Sequence, residues 1–181
     1  MRINKVRIIG GSHRRRLIEF PDADGLRPTP DRVRETLFNW LGQTLDGRRC
    51  LDLFAGSGAL GFEAASRGAA EVVMVERNRS VCRTLQENIK KLGFLNIALH
   101  AEDGLEFAQA RNTPFDVIFL DPPFQSDYLP KLLSLLVDKL AVDGMVYVES
   151  GEPFTPDAEW QVIKQARAGA VFYQLLKFGQ A

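Results

Sequence analysis

The segment Asp121-Pro122-Pro123-Phe124 has the residue order that is most specific for one kind of chemistry. The exocyclic amine of a nucleobase is a poor nucleophile because its lone pair is delocalised into the ring. The Asp121 carboxylate and the Pro122 carbonyl can accept the two amine hydrogens and localise that lone pair. Proline geometry fixes the direction of the carbonyl, and Phe124 can stack on the base. We therefore predict that Asp121, Pro122, Pro123 and Phe124 are catalytic residues acting on an amine.

A glycine-rich turn, Gly56-x-Gly58-x-x-Gly61, lies upstream of this segment. It follows one apolar run and opens a helical one, and its glycines allow the backbone to approach a ligand closely. The spacing matches a dinucleotide-binding fingerprint, and Glu76 ends the next apolar run, where an acid would bind ribose hydroxyls. The pattern predicts a nucleoside cofactor, and a tight turn without a ligand is the alternative.

The acids around this turn discriminate between cofactors. NAD would place a pyrophosphate at the helix N-terminus, where a nearby acid is unfavourable. Asp52 suits the positive amino group and sulfonium of S-adenosylmethionine, and Asp103 is placed to accept from an adenine amino group. Each acid alone is more often a helix N-cap, but the set favours S-adenosylmethionine without a metal. The predicted cofactor-binding residues here are Asp52, Phe54, Ala55, Gly56, Ser57, Gly58, Glu76, Arg77, Asp103 and Gly104.

Strands and helices alternate in the part of the chain that must position these residues. A helix is predicted to begin at Thr29-Pro30, with Thr29 as its N-cap. Short apolar runs without polar alternation predict strands that are covered on both faces. They are Cys50–Phe54, Val72–Glu76, Ile97–His100, Phe115–Asp121 and Met145–Glu149, followed by Trp160–Ile163 and Ala170–Phe178. The alternation predicts an α/β, doubly wound, mostly parallel sheet of seven strands with helices on both faces.

Length and composition set limits on the class of protein. The 181 residues, of which 45% are hydrophobic, fit one folded domain with a real core. The sequence has no apolar run long enough to span a membrane and no apolar stretch typical of a secretory signal near its start. Cys50 and Cys82 form no CxxC pair, so we expect two buried structural thiols and a reducing cytoplasmic location. The sequence leaves the oligomeric state open, and a monomer is the default expectation.

The charges are unevenly distributed although the formal net charge is zero. Residues 1–16 contain six basic residues and no acid: Arg2, Lys5, Arg7, Arg14, Arg15 and Arg16. A basic arm on an acidic body suggests a polyanionic partner, and a solvated, flexible tail is the alternative. The run from Arg2 to Phe20, broken at Gly10-Gly11, predicts a hairpin, to which His13 would belong. We expect residues 1–28 to form this extension and residues 29–181 the main domain.

The motifs as a set resemble one family. In order, LDLFAGSGALGFEAASRG, VVMVERN, AEDG, DPPF and DGMVYVE are similar to the motifs of Rossmann-like class I S-adenosylmethionine-dependent methyltransferases. With RPTPDRVRETLFNWL ahead of them, the chain resembles the RsmD family of bacterial 16S ribosomal RNA guanine-N2 methyltransferases. The match extends from VRIIGGSHRRRL to VFYQLLKF. The resemblance implies methylation of one guanine, the RsmD-type guanine-966 site, within the small ribosomal subunit or its assembly intermediate.

The resemblance also implies roles for residues outside the two motifs. Arg27, Thr29 and Arg32 would line the entrance for cofactor and RNA, and Tyr128 would help to hold a flipped base. The arginines Arg7, Arg14, Arg15 and Arg16 would contact phosphates.

Other functions remain open from the residues alone. An adenine-N6 DNA methyltransferase shares the DPPF chemistry, but usually needs a separate target-recognition domain for which 181 residues leave no room. An NAD-dependent oxidoreductase would explain the glycine turn but not DPPF. A non-catalytic RNA-binding module would explain the basic arm alone.

Overall fold

The computed structural model describes residues 2–123 and 128–179. These ranges contain nine strands: β1 (Ile3–Arg7), β2 (Leu17–Pro21), β3 (Arg49–Asp52), β4 (Glu71–Val75), β5 (Ile97–His100), β6 (Phe115–Leu120), β7 (Leu140–Ser150), β8 (Trp160–Ala168) and β9 (Val171–Phe178). They also contain five α-helices: α1 (Asp31–Trp40), α2 (Ala59–Ser66), α3 (Arg79–Leu92), α4 (Gly104–Ala110) and α5 (Tyr128–Leu136). A single 3₁₀ turn at Val137–Lys139 follows α5 within the described ranges.

The main sheet has the strand order β5-β4-β3-β6-β7-β9-β8. Strands β3 to β7 pair in parallel, and β9 pairs antiparallel with both β7 and β8. From β3 the chain winds outward through β4 and β5, and then returns to the other side of β3 with β6 and β7. Such a reversal opens a crevice at the carboxyl ends of the central strands, where ligands bind in open α/β sheets.

Helices cover both faces of the sheet, as the absence of polar alternation in the strands predicts. One apolar core contains Val33 and Leu37 of α1, together with residues from α2 and α3. The other contains Phe107 of α4 and the leucines of α5. The expected doubly wound α/β fold with a mostly parallel, seven-stranded sheet is confirmed.

Several element boundaries differ from those expected. Helix α1 begins one residue later, with Pro30 at the N-cap position and no side-chain cap. The expected cap, Thr29, instead donates its hydroxyl to Glu149 at 3.1 Å. Strand β4 ends at Val75 and so leaves Glu76 in the following loop. Strand β7 begins at Leu140 rather than Met145, because its first residues pair with the start of β6 across an irregularity in register.

The basic arm is folded onto the domain and is not a flexible tail. Strands β1 and β2 form the antiparallel hairpin that the sequence predicts. Val6, Ile8, Ile18 and Phe20 contribute to the same core as α1 and α2. The extension at residues 1–28 therefore shares its apolar packing with the domain that follows it.

A buried carboxylate attaches the hairpin to helix α2. Glu63 of α2 is inaccessible to solvent and accepts hydrogen bonds from the backbone N–H groups of Ile9 and Gly10 at 2.9 and 2.8 Å. It also forms ion pairs with Arg34, which is equally buried, and with Arg67. Two cations and two N–H donors thus compensate one desolvated charge, which makes the burial tolerable.

The histidines and cysteines have structural contacts. His13 stacks on Phe94 at 3.9 Å between ring centroids, and its Nε2 lies 2.8 Å from the Leu92 carbonyl oxygen. His100 lies at the end of β5, as expected. Cys50 and Cys82 are free and buried, and burial raises the pKa of Cys50 to about 12.

In the described part of the chain no helix is both long and apolar enough to cross a membrane.

We expect Arg34→Leu to lower the free energy of unfolding by about 3 kcal/mol, because Glu63 stays buried and loses a charged partner. Urea unfolding measures the change. Lys177→Met is the matched control, since Lys177 and Asp143 form an exposed ion pair whose loss costs about 1 kcal/mol at most. A loss below about 1 kcal/mol for Arg34→Leu would contradict the role of this ion pair.

Candidate active site

A cavity of about 240 Å³ lies at the carboxyl ends of β3, β4 and β6. The turn after β3, the start of α4 and the residues that follow β4 and β6 form its walls. A segment ahead of α1, from Ala23 to Thr29, covers one side. The cavity therefore occupies the crevice that the sheet topology creates.

The structure brings most of the predicted site residues together in this cavity. The lining includes the expected cofactor residues Asp52, Phe54, Ala55, Gly56, Ser57, Glu76, Arg77, Asp103, Gly104, Arg27 and Thr29. It also includes Asp121, Pro123 and Tyr128. Gly58 and Pro122 are adjacent in sequence to lining residues, and neither belongs to the wall. The fourth residue of the reaction motif, Phe124, lies outside the described residues.

The glycines shape the turn between β3 and α2. Gly58 has a φ of 82°, a left-handed conformation that disfavours other residues, and occupies the N-cap position of α2. A Cβ on Gly61 would overlap Met74 of β4, so this glycine allows the helix to pack closely on the sheet. The third, Gly56, donates its N–H to Glu76 at 3.0 Å. The fingerprint spacing thus serves close packing and a turn whose backbone lines the cavity.

Two acids at the cavity wall also organise the backbone. Glu76 accepts from the N–H groups of Gly56 and Asn78, which joins the loops after β3 and β4. Asp103 is the N-cap of α4 and accepts from the N–H groups of Leu105 and Glu106 at 2.8 and 3.2 Å. Asp103 thus combines the capping role with a place in the lining. Both carboxylates are fixed in position before any ligand arrives.

Asp52 is a buried acid at the end of β3. Its Oδ2 accepts from the N–H of Gly61 at 3.0 Å, and the residue is 2% exposed. Burial raises the pKa of Asp52 to about 7, the N–H of Gly61 opposes this rise, and the charges of Glu76 and Glu149 add to it. A positive ligand group would favour the ionised form of this carboxyl.

Asp121 lies directly after β6, the strand next to β3. Burial raises the pKa of Asp121 well above its ordinary value, and the negative charges of Glu149 and Asp52 raise it further. The three carboxyls therefore interact electrostatically at one edge of the sheet. Such clustering of carboxyls with raised pKa values is typical of functional sites.

Two parts of the site are not recognised from the sequence. The pattern assigns Glu149 only to a strand, although an acid at the end of an apolar run is an available signal. Leu26 carries no predicted role, yet its Cδ1 lies 3.1 Å from the point that a Cβ on Gly56 would occupy. Long-range contacts of this kind leave no pattern in the local sequence.

The predicted RNA-binding residues occupy separate places. Arg14, Arg15 and Arg16 are exposed in the connection between β1 and β2. Arg7 is exposed at the end of β1, 3.2 Å from Asp31. Arg32 lies in the first turn of α1, away from the cavity lining. Tyr128 lines the cavity, and burial and the charge of Asp103 raise its pKa.

Comparison with known proteins gives consistent matches. The family model described as Conserved hypothetical protein 95 matches residues 6–177. The Ribosomal RNA small subunit methyltransferase D of Escherichia coli K12 is 44% identical over 177 residues, covering 94% of this chain and 89% of that protein.

Solved structures match the fold. The "Putative methyltransferase yhhF" of Escherichia coli superposes with a TM-score of 0.88 at 41% identity and covers 98% of this chain and 100% of its own. An RNA methyltransferase from Salinibacter ruber, solved in complex with S-adenosyl-L-homocysteine, has a TM-score of 0.66 at 20% identity, with 82% and 92% coverage. The second likeness concerns the fold alone.

Asp52→Asn tests the raised pKa of Asp52. Between about pH 4 and pH 7 the folded protein holds a proton that the unfolded chain releases, so the free energy of unfolding falls as pH rises. The asparagine side chain does not titrate in the variant, so this negative contribution to the pH dependence is lost. The slope of the free energy of unfolding against pH should therefore be more positive in the variant than in the wild type, by up to about 1.4 kcal/mol per pH unit. Urea unfolding at several pH values between about pH 5 and pH 6.5 measures this slope. The exposed Asp157→Asn is the control, and equal slopes for Asp52→Asn and wild type would contradict the assignment.

Proposed function

The chain belongs to the Conserved hypothetical protein 95 family, the RsmD family, and from this premise we propose that it methylates the exocyclic N2 of a guanine in 16S ribosomal RNA. S-adenosylmethionine is the methyl donor. The proposed position is the RsmD-type guanine-966 site, presented within the small ribosomal subunit or an assembly intermediate. We further propose that the protein acts as a cytoplasmic monomer.

The observation that carries the proposal is the place of Asp121 in the cavity. Asp121 and Pro123 share one cavity with the glycine turn and with Glu76 and Asp103. An amine acceptor and a nucleoside-binding wall therefore meet at one edge of the sheet. The relative named as a small subunit ribosomal RNA methyltransferase covers almost the whole of this chain and supports the choice of RNA over DNA.

The lining fits the chemistry of S-adenosylmethionine. Glu76 would accept from the ribose hydroxyls, Asp103 would accept from the adenine amino group, and Asp52 would face the positive end of the molecule. Asp52 is desolvated, and a cation beside it offsets the cost of its ionisation. The cofactor supplies a methyl group on a positively charged sulfur.

The residues of the protein position the guanine amine. Asp121 and the Pro122 carbonyl would each accept one N2 hydrogen, which directs the nitrogen lone pair at the methyl carbon. The nitrogen must come within about 3–3.5 Å of that carbon, in line with the departing sulfur. A stacked base cannot reach this point, so the guanine must be extruded from the RNA. Tyr128 lines the cavity and would hold the extruded base, as we propose also for Phe124.

The hairpin would provide the RNA contact. Arg14, Arg15 and Arg16 extend from a connection that is anchored to α2, since Ser12 donates its N–H to the Ser66 carbonyl at 2.8 Å. Anchored cations lose less conformational freedom on binding than cations on a mobile tail. Phosphate contacts of this kind position the RNA without reading its sequence. Arg7 and Arg32 would extend the contact toward the cavity, where Arg27 and Thr29 belong to the lining.

Asp121→Ala should reduce methyl transfer by at least about 100-fold, because the amine loses its charged acceptor. The dissociation constant for S-adenosylmethionine should change by no more than about threefold, since the proposed cofactor contacts lie on other residues. Transfer of labelled methyl groups to small subunits and calorimetric binding measure the two effects. Equal losses of cofactor binding and activity would contradict the assigned role.

Glu76→Ala is the complementary variant. It should weaken S-adenosylmethionine binding by about 1–3 kcal/mol, the range for charge-assisted hydrogen bonds. Calorimetry measures this, and Glu87→Ala, an exposed glutamate of α3, is the matched control. An unchanged dissociation constant in Glu76→Ala would remove Glu76 from the cofactor site.

Replacing Arg14, Arg15 and Arg16 together by Gln should flatten the salt dependence of RNA binding. Each lost phosphate contact lowers the slope of log affinity against log salt by about 0.7–0.9. Binding to unmethylated small subunits between about 50 and 200 mM salt measures the slope. The matched control replaces three exposed cations on other elements, Lys131, Lys164 and Arg167. An unchanged slope in the hairpin variant would exclude phosphate contact by the arm.

A further inference from the structure

Glu149 lies beside the reaction motif on the adjacent strand. In the parallel pairing of β6 and β7, Leu120 is opposite Val148. Continuing this register by one residue beyond the end of β6 places Asp121 level with Glu149, on the same side of the sheet. On the other neighbour of β6, Asp52 is opposite Phe119, two residues before Asp121. The two acids thus flank Asp121 from β7 and β3.

Two hydroxyl groups hold the Glu149 carboxylate. Tyr147 and Thr29 both donate to its Oε2, at 2.9 and 3.1 Å. Glu149 is 8% exposed, and Tyr147 is inaccessible to solvent. Donors directed at a carboxylate favour its ionised form. The contacts therefore favour a fixed, ionised carboxylate beside Asp121.

We propose that Glu149 is a positioning residue that works through Asp121, its charge making Asp121 the acceptor of the proton that the methylated amine releases. This inference rests on the proposed function. Electrostatics support it, since burial raises the pKa of Glu149 while the hydroxyls of Tyr147 and Thr29 oppose that rise. The charge of Glu149 in turn raises the pKa of Asp121, in addition to the effect of burial.

The proton balance shows why such an acceptor is useful. The N2 lone pair forms a bond to the methyl carbon, and the electrons of the breaking carbon–sulfur bond remain on sulfur, which becomes a neutral thioether. The nitrogen then carries an extra positive charge and loses one proton to the Asp121 carboxylate. An acceptor works best when its pKa is close to the working pH. The pKa of an ordinary aspartate is too low to meet that condition, and the neighbouring charge of Glu149 raises that of Asp121.

Other ionisable groups lie around Asp121 and Glu149 and must stay constant in a test. Asp52 faces it from β3, and Tyr147 and Tyr173 surround Glu149 on β7 and β9. The cavity wall adds Arg27, Glu76, Arg77, Asp103 and Tyr128. None of these residues changes in the variants of Glu149 described below, so a shift of the Asp121 titration midpoint reports the charge at position 149.

The first experiment titrates Asp121 in the free protein. The ¹³Cγ signals of labelled aspartates are followed against pH, and the Asp121 signal is the one missing from Asp121→Asn. In Glu149→Gln, which keeps the side-chain size and removes the charge, the Asp121 midpoint should fall by about one pH unit. Glu149→Asp, which keeps the charge, should restore most of the midpoint, and the exposed Glu152→Gln should leave it unchanged.

The second experiment measures the pH dependence of single-turnover methyl transfer to small ribosomal subunits. The acidic limb of the profile, where Asp121 must lose its proton, should move to lower pH by about one unit in Glu149→Gln. The plateau rate should fall by up to about tenfold as Asp121 becomes a weaker base. S-adenosylmethionine binding and thermal unfolding confirm that each variant is folded.

The two experiments separate the inference from the function. An Asp121 midpoint that is the same in wild type and folded Glu149→Gln would overturn the role of Glu149, whatever the substrate is. If the midpoint shifts but the wild-type protein methylates no ribosomal guanine, the proposed function fails while the Glu149–Asp121 coupling holds. A shifted midpoint with an unshifted acidic limb would overturn proton acceptance by Asp121.

Discussion

The cost of burying negative charge at one edge of the sheet is the constraint on which the site depends. Parallel strands end together, so Asp52, Asp121 and Glu149 meet at the carboxyl ends of β3, β6 and β7. Desolvation raises the pKa values of all three carboxyls, and repulsion from neighbouring carboxylates adds to the rise at Asp52 and Asp121. A cationic ligand relieves both effects, whereas a pyrophosphate would intensify them. The same arrangement thus favours a sulfonium cofactor and, in the mechanism we propose, would give Asp121 the basicity to receive a proton.

The basic hairpin depends on a second buried charge. Glu63 is neutralised by Arg34 and Arg67 and also accepts backbone N–H groups from the hairpin. Because Arg34 belongs to α1 and Glu63 to α2, this network joins the arm to both helices, and the first residues of α2 line the cavity. The arginines at the hairpin tip are therefore held at a fixed distance from the reaction centre. In the function we propose, this anchored arm would bind the RNA backbone while one base enters the cavity.

The sequence predicts the parts of this structure that depend on local pattern. Apolar runs predict the positions of the strands, since strands covered on both faces do not alternate apolar with polar residues. The glycine turn and the DPPF segment are recognisable because their chemistry needs residues that are close together in the sequence. The role of Glu149 and the bond from Thr29 to it depend on strands and loops that are distant in sequence. Glu63 was likewise unrecognisable, because its partners come from the hairpin and α1. Tertiary contacts determine the roles of these residues. At Thr29 the hydrogen bond to Glu149 replaces the helix cap that the local sequence predicts.

The most direct test of the account is to identify the methylated nucleoside. Purified protein, labelled S-adenosylmethionine and unmethylated small ribosomal subunits are incubated, and the RNA is digested and analysed by mass spectrometry. The account predicts label in N2-methylguanosine at one position of the 16S RNA. Label in N6-methyladenosine would preserve the amine chemistry of Asp121 and contradict the proposed substrate. The absence of label in any guanosine, from a protein that binds S-adenosylmethionine, would contradict the central claim.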